Sequence, residues 1–310
     1  ILPKKAIVTG AAGFIGSHIV DKLLDSGHQV FVYDLPAIRP TSINSGGTFI
    51  PGSILDLEAL RMAMEGIDAV YHLAAIADVK DVFEDPYYAE TLNVRGTMNV
   101  LEAARRTNLP RLIYGSTTWV YSDVDGDIVD EDTPLKPPSH LYTATKLTSE
   151  YYCICYDKLY GVATTVLRYG IPYGPRARDG AVVPIFVGKA LRKEPLTIAG
   201  DGEQFRQFVY VEDLAEGNVL ALNPVAAHKT YNLDGAEKIS INRLVETVRK
   251  VVGDVELVHT EARPGDFAGK ECSSLRAKEE LGWVPKVSFE EGLARYLAWY
   301  NEREAASGTS

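Results

Sequence analysis

The sequence predicts an α/β fold, a doubly wound parallel sheet followed by a smaller C-terminal α/β domain. Short apolar runs alternate with amphipathic stretches up to residue 169, and a glycine-rich turn joins the first run to the first amphipathic stretch. This alternation is typical of parallel sheets whose strands are connected by helices. The expected strands lie near residues 5–9, 29–34, 69–73, 111–116 and 163–168.

The glycine-rich turn, Thr9 to His18, follows the apolar run Ala6-Ile7-Val8. Gly10 can form a tight turn, Gly13 lets the backbone approach a pyrophosphate, and Gly16 lets the helix pack against the strand. The free N–H groups at the helix start then point at the phosphates. Any α/β protein can carry three such glycines in an ordinary turn, so the flanking strand and helix are what indicate a dinucleotide site.

The second apolar run, residues 29–33, ends at Asp34. A carboxylate at this place can accept hydrogen bonds from both hydroxyls of an adenosine ribose. It would repel the 2′-phosphate of NADP, so Asp34 favours NAD as the cofactor. The alternative is an aspartate in a surface turn.

The chain after residue 169 predicts a second domain that closes on the first. Glycine and proline cluster between residues 170 and 180. Helical patterns follow near residues 182–191, 240–252 and 289–303. We expect a dinucleotide-binding domain over residues 1–169, to which some later segments return, and a mainly substrate-binding domain over residues 170–304. Residues 305–310 are expected to be a frayed tail.

Composition limits the kind of partner. The 310 residues are 46% hydrophobic, which is enough to bury a full core, and their net charge is −10. This charge argues against nucleic-acid and anionic-membrane partners, so a bound phosphate must be met by local arginines and backbone N–H groups.

The cysteines, Cys153, Cys155 and Cys272, have no metal-ligand spacing, and we expect neither a disulfide nor a metal. No apolar run is long enough to span a bilayer, and a cytoplasmic protein is expected.

Three residues predict proton chemistry. Tyr142 and Lys146 are four apart in a long helical pattern, so they share one helix face. The strand around 111–116 ends in hydroxyls, of which Thr117 is the best placed to hold a substrate oxygen at the carboxyl edge of the sheet. An ammonium and a positive nicotinamide ring would both favour the phenolate, so Tyr142 is the expected base.

These residues together resemble the extended short-chain dehydrogenase/reductase family, especially its nucleotide-sugar epimerases and dehydratases. The resemblance covers nearly the whole chain and implies a Rossmann sheet that binds NAD. The motifs that carry it are Thr9 to Gly16, Asp34, Asp56-Leu57, His72 to Ala75, Asn93 to Thr97, Ser116 to Tyr121, Tyr142 to Lys146, Leu167 to Tyr169, Tyr173 to Arg176, Gly200 to Phe208, Tyr210 to Asp213, and Arg263 to Asp266.

The resemblance also implies roles for individual residues. Asp56 and Leu57 would flank the adenine, and Asn93 would support the site. Arg206 and Arg263 would bind the substrate diphosphate. The other residues it assigns are Phe14, Ile15, Leu73, Ala74, Ala75, Lys146 and Tyr169 on the cofactor, and Thr117, Thr118, Tyr142 and Asp266 on the substrate, with Asp266 on its ribose.

The reaction follows from what the chain lacks. Similar dehydratases and decarboxylases carry an acid one or two residues after the catalytic threonine, whereas this chain has Thr118-Trp119. Epimerisation remains: Tyr142 would take the C4 hydroxyl proton as hydride passes to NAD, and the 4-keto sugar would turn over before reduction on its other face.

The sequence indicates the identity of the sugar less directly than it indicates the reaction. Many galactose epimerases have an asparagine where this chain reads Gly170-Ile171, which puts galactose specificity in doubt. Arg178 resembles the arginine that meets the carboxylate in uronic-acid 4-epimerases, so it could select UDP-glucuronate; the alternative is a solvated loop arginine. Trp119 could restrict the sugar pocket or pack beneath it.

Other functions stay open: an NAD(P)H-dependent sugar or ketone reductase, a nucleotide-sugar dehydratase or decarboxylase, and a non-catalytic NAD-binding sensor or scaffold. A homodimer is expected, with Leu147, Tyr151, Cys155 and Leu159 either at its interface or on the core face of their helix.

Overall fold

The structure, a computed structural model, describes residues 4–37, 46–261 and 269–307. The strands are β1 (Lys5–Thr9), β2 (Gln29–Asp34), β3 (Thr48–Pro51), β4 (Ala69–His72), β5 (Arg111–Thr117), β6 (Ile128–Val129), β7 (Thr164–Tyr169), β8 (Ile171–Tyr173), β9 (Leu196–Ala199), β10 (Phe205–Tyr210), β11 (Lys229–Leu233), β12 (Lys238–Ser240), β13 (Leu257–Thr260) and β14 (Glu271–Cys272). The helices are α1 (Phe14–Asp25), α2 (Leu57–Ala63), α3 (Val79–Glu84), α4 (Pro86–Glu90), α5 (Gly96–Arg106), α6 (Leu141–Tyr160), α7 (Val182–Leu191), α8 (Val211–Leu220), α9 (Ile241–Val252), α10 (Leu275–Leu281) and α11 (Phe289–Ser307). Short 3₁₀ turns cover Thr118–Tyr121 and Pro224–Ala226, and Thr91–Arg95 is π-helical.

The main sheet has seven strands in the order β11-β7-β5-β4-β1-β2-β3, and every neighbouring pair is parallel. Helices cover both faces: Ile19, Val20 and Leu23 of α1 pack on one, and Val100 and Leu101 of α5 pack on the other. The predicted doubly wound α/β fold is thus confirmed, and each of the predicted strands is present. Because the carboxyl ends of parallel strands share one edge, the loops after β1, β2, β4, β5, β7 and β11 meet there.

The smaller sheets come mostly from the later part of the chain. β10 pairs in parallel with β8 and antiparallel with β12, while β9 pairs with β13. The helices predicted near 182–191, 240–252 and 289–303 are α7, α9 and α11, and they pack around a separate apolar core that includes Phe208, Leu244 and Leu293. β11 returns to the main sheet, as was expected of some later segments. The division at residue 169 stays a prediction.

A buried ion pair fixes α6 against the main sheet. The Arg168 guanidinium on β7 donates to both carboxylate oxygens of Glu150 on α6, at 3.1 Å from Nε and 2.8 Å from Nη2. Its Nη1 donates to the Tyr121 hydroxyl at 2.6 Å, and Ser116 on β5 donates to Glu150 at 2.5 Å. Glu150 and Arg168 are 2% and 6% exposed. Since α6 carries Tyr142 and Lys146, this network determines where they lie.

The outer face of α6 is partly apolar. Tyr151 and Leu159 are exposed, and Cys155 is an exposed free thiol. Leu147 is buried against Val120 and Tyr121, so it belongs to the core and cannot supply a dimer contact. Within the described residues, no helix combines the length and the apolar character that a membrane span requires.

Candidate active site

The glycine turn is shaped for a close ligand. Gly10 has φ +68°, and a Cβ there would lie 2.7 Å from the Ala74 backbone nitrogen. A Cβ on Gly16 would overlap the Gly10 carbonyl oxygen, and one on Gly13 would lie 3.2 Å from that oxygen. A side chain at Gly10 would clash with the segment after β4, one at Gly16 would clash with the turn, and one at Gly13 would be tight. Without these side chains, the N-terminus of α1 is open to a phosphate group.

Asp34 lies at the end of β2, beside the glycine turn. Its Oδ2 accepts a hydrogen bond from the Ala12 N–H at 2.9 Å, and its Oδ1 accepts one from the Leu35 N–H at 2.8 Å. A carboxylate has further lone pairs, and Asp34 lines the same cavity as the turn. Asp34 thus stabilises the turn while it can still accept hydrogen bonds from a ribose.

A cavity of about 780 Å³ runs along the carboxyl edge of the sheet from Asp34 to Tyr142. Its walls fit the predicted cofactor, because they combine the glycine cradle, an acceptor for the ribose and the three-residue segment after β4. The predicted cofactor residues that line it are Gly10, Gly13, Phe14, Ile15, Gly16, Asp34, Leu73, Ala74, Ala75, Tyr142 and Tyr169. Ser53 and Ile54 line it as well, although no sequence pattern singles them out.

The remaining predicted cofactor residues lie behind or beside this cavity. Asp56 is exposed and accepts a hydrogen bond from the Ala59 N–H at the start of α2, and Leu57 packs against the core. Asn93 is buried in the π-helical turn; it bonds both backbone groups of Ile76 and the Thr145 hydroxyl, at 2.8 to 3.0 Å. Asn93 therefore holds the loop after β4 to α6 and acts as a positioning residue.

Thr117 and Tyr142 line the far end of the cavity, and Lys146, on the same helix as Tyr142, is buried. Thr117 ends β5, and its hydrogen bond with Tyr142 and the positive charge of Arg178 both favour the phenolate. Burial outweighs them and raises the pKa of Tyr142 to about 12. Lys146 donates to the Gly115 carbonyl oxygen at 2.7 Å, and burial lowers its pKa to about 8.

The protein alone therefore differs from the sequence-based expectation, since its own groups do not lower the pKa of the phenol. The expectation counted the ammonium of Lys146 but not the desolvation of Tyr142. The cation that acts on Tyr142 in this arrangement is Arg178, which was predicted for a different task.

A second cavity of about 440 Å³ adjoins the first, and Trp119 and Ile171 line both. Of the predicted substrate residues, Thr118 and Arg206 line this second cavity. Arg178 lines the first and forms an ion pair with Asp78 at 2.9 Å; its side chain is half exposed. The structure thus brings Arg178 and Arg206 to the same region as Tyr142. Arg263 and Asp266 lie outside the described residues.

Asp234, which sequence reasoning missed, follows β11 and lines the second cavity. A Cβ on Gly170 would overlap its carboxylate, so the unusual glycine after Tyr169 makes room for this side chain. The carboxylate accepts a hydrogen bond from the Gly235 N–H at 2.8 Å, and burial raises its pKa to about 8. No local pattern could have identified it, because its burial depends on residues far apart in sequence.

We expect Asp234→Asn to change how stability depends on pH. An aspartate in the unfolded chain titrates near pH 4, so between about pH 4 and 8 the folded protein binds the extra proton. The wild type therefore loses stability relative to the variant as pH rises through this window, by on the order of a few kcal/mol. Urea unfolding of both proteins at several pH values checks this, and a difference that stays constant with pH would contradict it.

Comparison with known proteins agrees with this geometry. The model of the NAD dependent epimerase/dehydratase family matches residues 6–234. A UDP-glucuronate 4-epimerase of Thermodesulfobacterium geofontis is 32% identical, covering 96% of each chain. A UDP-N-acetyl-alpha-D-glucosaminuronate decarboxylase of Bacillus cytotoxicus is 30% identical, covering 98% of this chain and 99% of its own.

Solved structures with the same fold carry ligands of the expected kind. The UDP-glucose 4-epimerase of Thermotoga maritima with UDP-glucose has a TM-score of 0.90 at 33% identity, covering 97% of this chain and 99% of its own. The UDP-glucuronic acid 4-epimerase of Bacillus cereus, with UDP-glucuronic acid and NAD, has a TM-score of 0.88 at 32% identity, covering 96% and 99%. The resemblance inferred from the sequence and the expected cofactor, NAD, are confirmed. The chain belongs to the NAD dependent epimerase/dehydratase family.

Proposed function

We propose that the protein is a 4-epimerase of a UDP-linked hexose or hexuronate. The observation that carries the proposal is that Thr117 and Tyr142 meet at the end of the cofactor cavity, with Trp119 rather than an acid two residues after Thr117. Elimination of water or guidance of a decarboxylation needs a further proton donor or acceptor at that place. Oxidation and return at C4 need only the phenol and the hydroxyl.

NAD, when bound, supplies a hydride acceptor and donor. The chain itself moves one proton: the Tyr142 hydroxyl, deprotonated, accepts the proton of the C4 hydroxyl and later returns it to the same oxygen. Thr117 holds that oxygen by a hydrogen bond. Lys146 is buried on the helix that carries Tyr142 and is held by the Gly115 carbonyl, and Arg178 is the cation that acts on the phenol.

Cofactor accounting tests this proposal against the reductase alternative. With UDP-glucose or UDP-glucuronate in large excess over NAD, an epimerase converts many equivalents of sugar and NADH does not accumulate. A reductase or dehydrogenase changes one cofactor for each sugar, so equal amounts of converted sugar and cofactor would overturn the proposal. A sensor would bind both ligands and convert neither.

Arg178 supports a uronate as the sugar. It lines the cofactor cavity, lies close enough to act on the pKa of Tyr142, and pairs in the protein with Asp78, an anion that a substrate carboxylate could replace. A neutral hexose offers no such exchange. We therefore favour UDP-glucuronate, with UDP-glucose as the alternative.

Arg178→Ala is expected to lower kcat/KM for UDP-glucuronate roughly tenfold or more, since hydrogen bonds to charged groups contribute about 1.5–3 kcal/mol. The loss for UDP-glucose should be smaller, because that sugar loses only the positive charge that Arg178 places near Tyr142. Asp78→Asn serves as the matched control, because it removes the partner but leaves the guanidinium. Steady-state kinetics with both sugars tests this: equal losses for both would remove Arg178 from sugar selection, and no loss for either would make it a solvated loop residue.

We also propose a homodimer that uses the outer face of α6. Tyr151, Ile154 and Leu159 are exposed apolar side chains along this helix, and Phe83 and Tyr87 on the adjacent α3 and α4 extend the apolar surface. Contiguous exposed apolar surface of this kind marks association sites. Sedimentation of the wild type and of a Leu159→Glu variant tests it.

A further inference from the structure

Asp234 lies at the edge of the sheet where the catalytic residues lie. Leu233, the last residue of β11, is opposite Tyr169 of β7, and Tyr169 is opposite Thr117 of β5. Asp234 is therefore one residue beyond the row that ends in Thr117. Ligands of open α/β sheets bind at this edge.

The carboxyl group of Asp234 has unused hydrogen-bonding capacity. The residue is 5% exposed, and among the described residues its side chain makes one hydrogen bond, from the Gly235 N–H to Oδ1. The amide of Gln207, on the same cavity wall, bonds elsewhere: it donates to the Gly235 carbonyl oxygen and accepts from the Cys272 N–H, both at 2.6 Å. A carboxyl group on a cavity wall with one hydrogen bond can form further hydrogen bonds to a ligand in that cavity.

The cavity that Asp234 faces adjoins the cavity that holds the reaction site. Trp119 and Ile171 form the boundary that it shares with the cofactor cavity, and Thr118 continues directly from Thr117. A sugar ring whose C4 hydroxyl lies at Thr117 and Tyr142 can therefore extend a substituent past Trp119. The space of about 440 Å³ is ample for a part of a hexose.

The charges around the cavity indicate what kind of group Asp234 would bind. Burial raises the pKa of its carboxyl to about 8, so the group is mostly neutral at pH 7. Cations on the same walls disfavour an ammonium ligand. The titratable and charged groups that share the cavity are Tyr121, Asp123, His140, Arg206, Lys270 and Cys272. A neutral hydroxyl, which both donates and accepts, matches a protonated carboxyl best.

We propose that the second cavity is a sugar subsite in which Asp234 hydrogen-bonds a hydroxyl group of the substrate hexose other than the one at C4. The subsite rests on the proposed function, since it requires a nucleotide sugar. Asp234 acts as a specificity-determining residue here, and Gly170 acts indirectly by leaving room for its side chain. The unusual glycine at position 170 and the Asp234 carboxylate therefore form one structural feature, since the glycine leaves the space that the carboxylate fills.

Calorimetric titration of the NAD-loaded enzyme tests the subsite. Asp234→Ala should weaken UDP-glucose binding roughly three- to tenfold while leaving UDP binding unchanged, because UDP lacks the hexose whose hydroxyl would bond to Asp234. UDP-2-deoxyglucose and UDP-6-deoxyglucose identify the group: one of them should bind more weakly than UDP-glucose to the wild type and equally well to the variant.

Equal effects of Asp234→Ala on UDP and UDP-glucose, or none on either, would overturn the subsite and leave the proposed function intact. Failure of the wild type to bind either ligand would overturn both. Asp234→Asn keeps the side-chain shape, so it provides a second test that can be carried out even when the alanine variant does not fold. Infrared difference spectra should show a protonated-carboxyl band that shifts with UDP-glucose, does not shift with UDP, and is missing from Asp234→Asn; a band unaffected by UDP-glucose would overturn the proposal.

Discussion

Tyr142→Phe is expected to lower kcat by about 10²–10⁴-fold, the usual range for loss of a general base. The change removes one oxygen at the wall of the cofactor cavity, where Tyr142 lies within reach of Thr117 and Arg178. NAD affinity should stay close to that of the wild type, because the glycine turn and Asp34 are untouched. Epimerisation rates and NAD titration of the same preparation measure both effects.

Tyr151→Phe is the matched control, since Tyr151 is on the same helix but exposed on its outer face. It should keep wild-type turnover. If Tyr142→Phe kept a substantial fraction of the activity, the phenol would not be the base. In the protein alone the pKa of Tyr142 is about 12, so the phenol needs added positive charge nearby to lose its proton at neutral pH. Because a larger fraction of the phenol is deprotonated at higher pH, kcat at saturating cofactor should rise with pH.

Glu150→Gln is expected to lower the free energy of unfolding by about 3 kcal/mol. The substitution leaves the Arg168 guanidinium buried without a counter-ion, and breaking a buried pair from one side typically costs about 3–5 kcal/mol. The pair is 7% and 3% exposed at its side chains, so solvent cannot compensate. Denaturant unfolding measures the loss.

Two further variants test whether the loss of stability is specific to the buried ion pair. Glu291→Gln breaks the exposed pair with Arg295, and surface pairs of this kind contribute only about 0.2–1 kcal/mol. The double variant Glu150→Gln with Arg168→Met removes the uncompensated charge and should regain part of the stability. A loss below about 1 kcal/mol for Glu150→Gln would show that the network does not determine the position of α6.

The parts of the fold that could be predicted from the sequence are those that depend on local sequence patterns. Strands β1 and β5 each contain a run of three apolar residues, Ala6 to Val8 and Leu112 to Tyr114, and the glycine turn has a fixed spacing. β3 and β11 were not predicted, because β3 is four half-exposed residues and β11 enters the sheet far from its neighbours in sequence. Which strands become neighbours in a sheet, and in which register they pair, depends on tertiary packing.

The same distinction holds within the site. The placement of Thr117 and Tyr142 on one cavity could be predicted, because a strand end and a helix start place those residues by simple geometry. The pKa of Tyr142 could not, since burial outweighs the charges that sequence reasoning counted. Ser53, Ile54 and Asp234 come from loops whose positions depend on the whole fold.

The most direct measurement is a proton NMR time course of the purified protein with UDP-glucuronate, and in parallel with UDP-glucose, at catalytic amounts of NAD. Formation of the 4-epimer of UDP-glucuronate without loss of its carboxylate is the predicted result, and it would support both the 4-epimerase mechanism and the role of Arg178. Epimerisation of UDP-glucose alone would keep the mechanism and remove Arg178 from sugar selection. Release of carbon dioxide, formation of a dehydrated sugar, or conversion of neither substrate would contradict the proposed 4-epimerase.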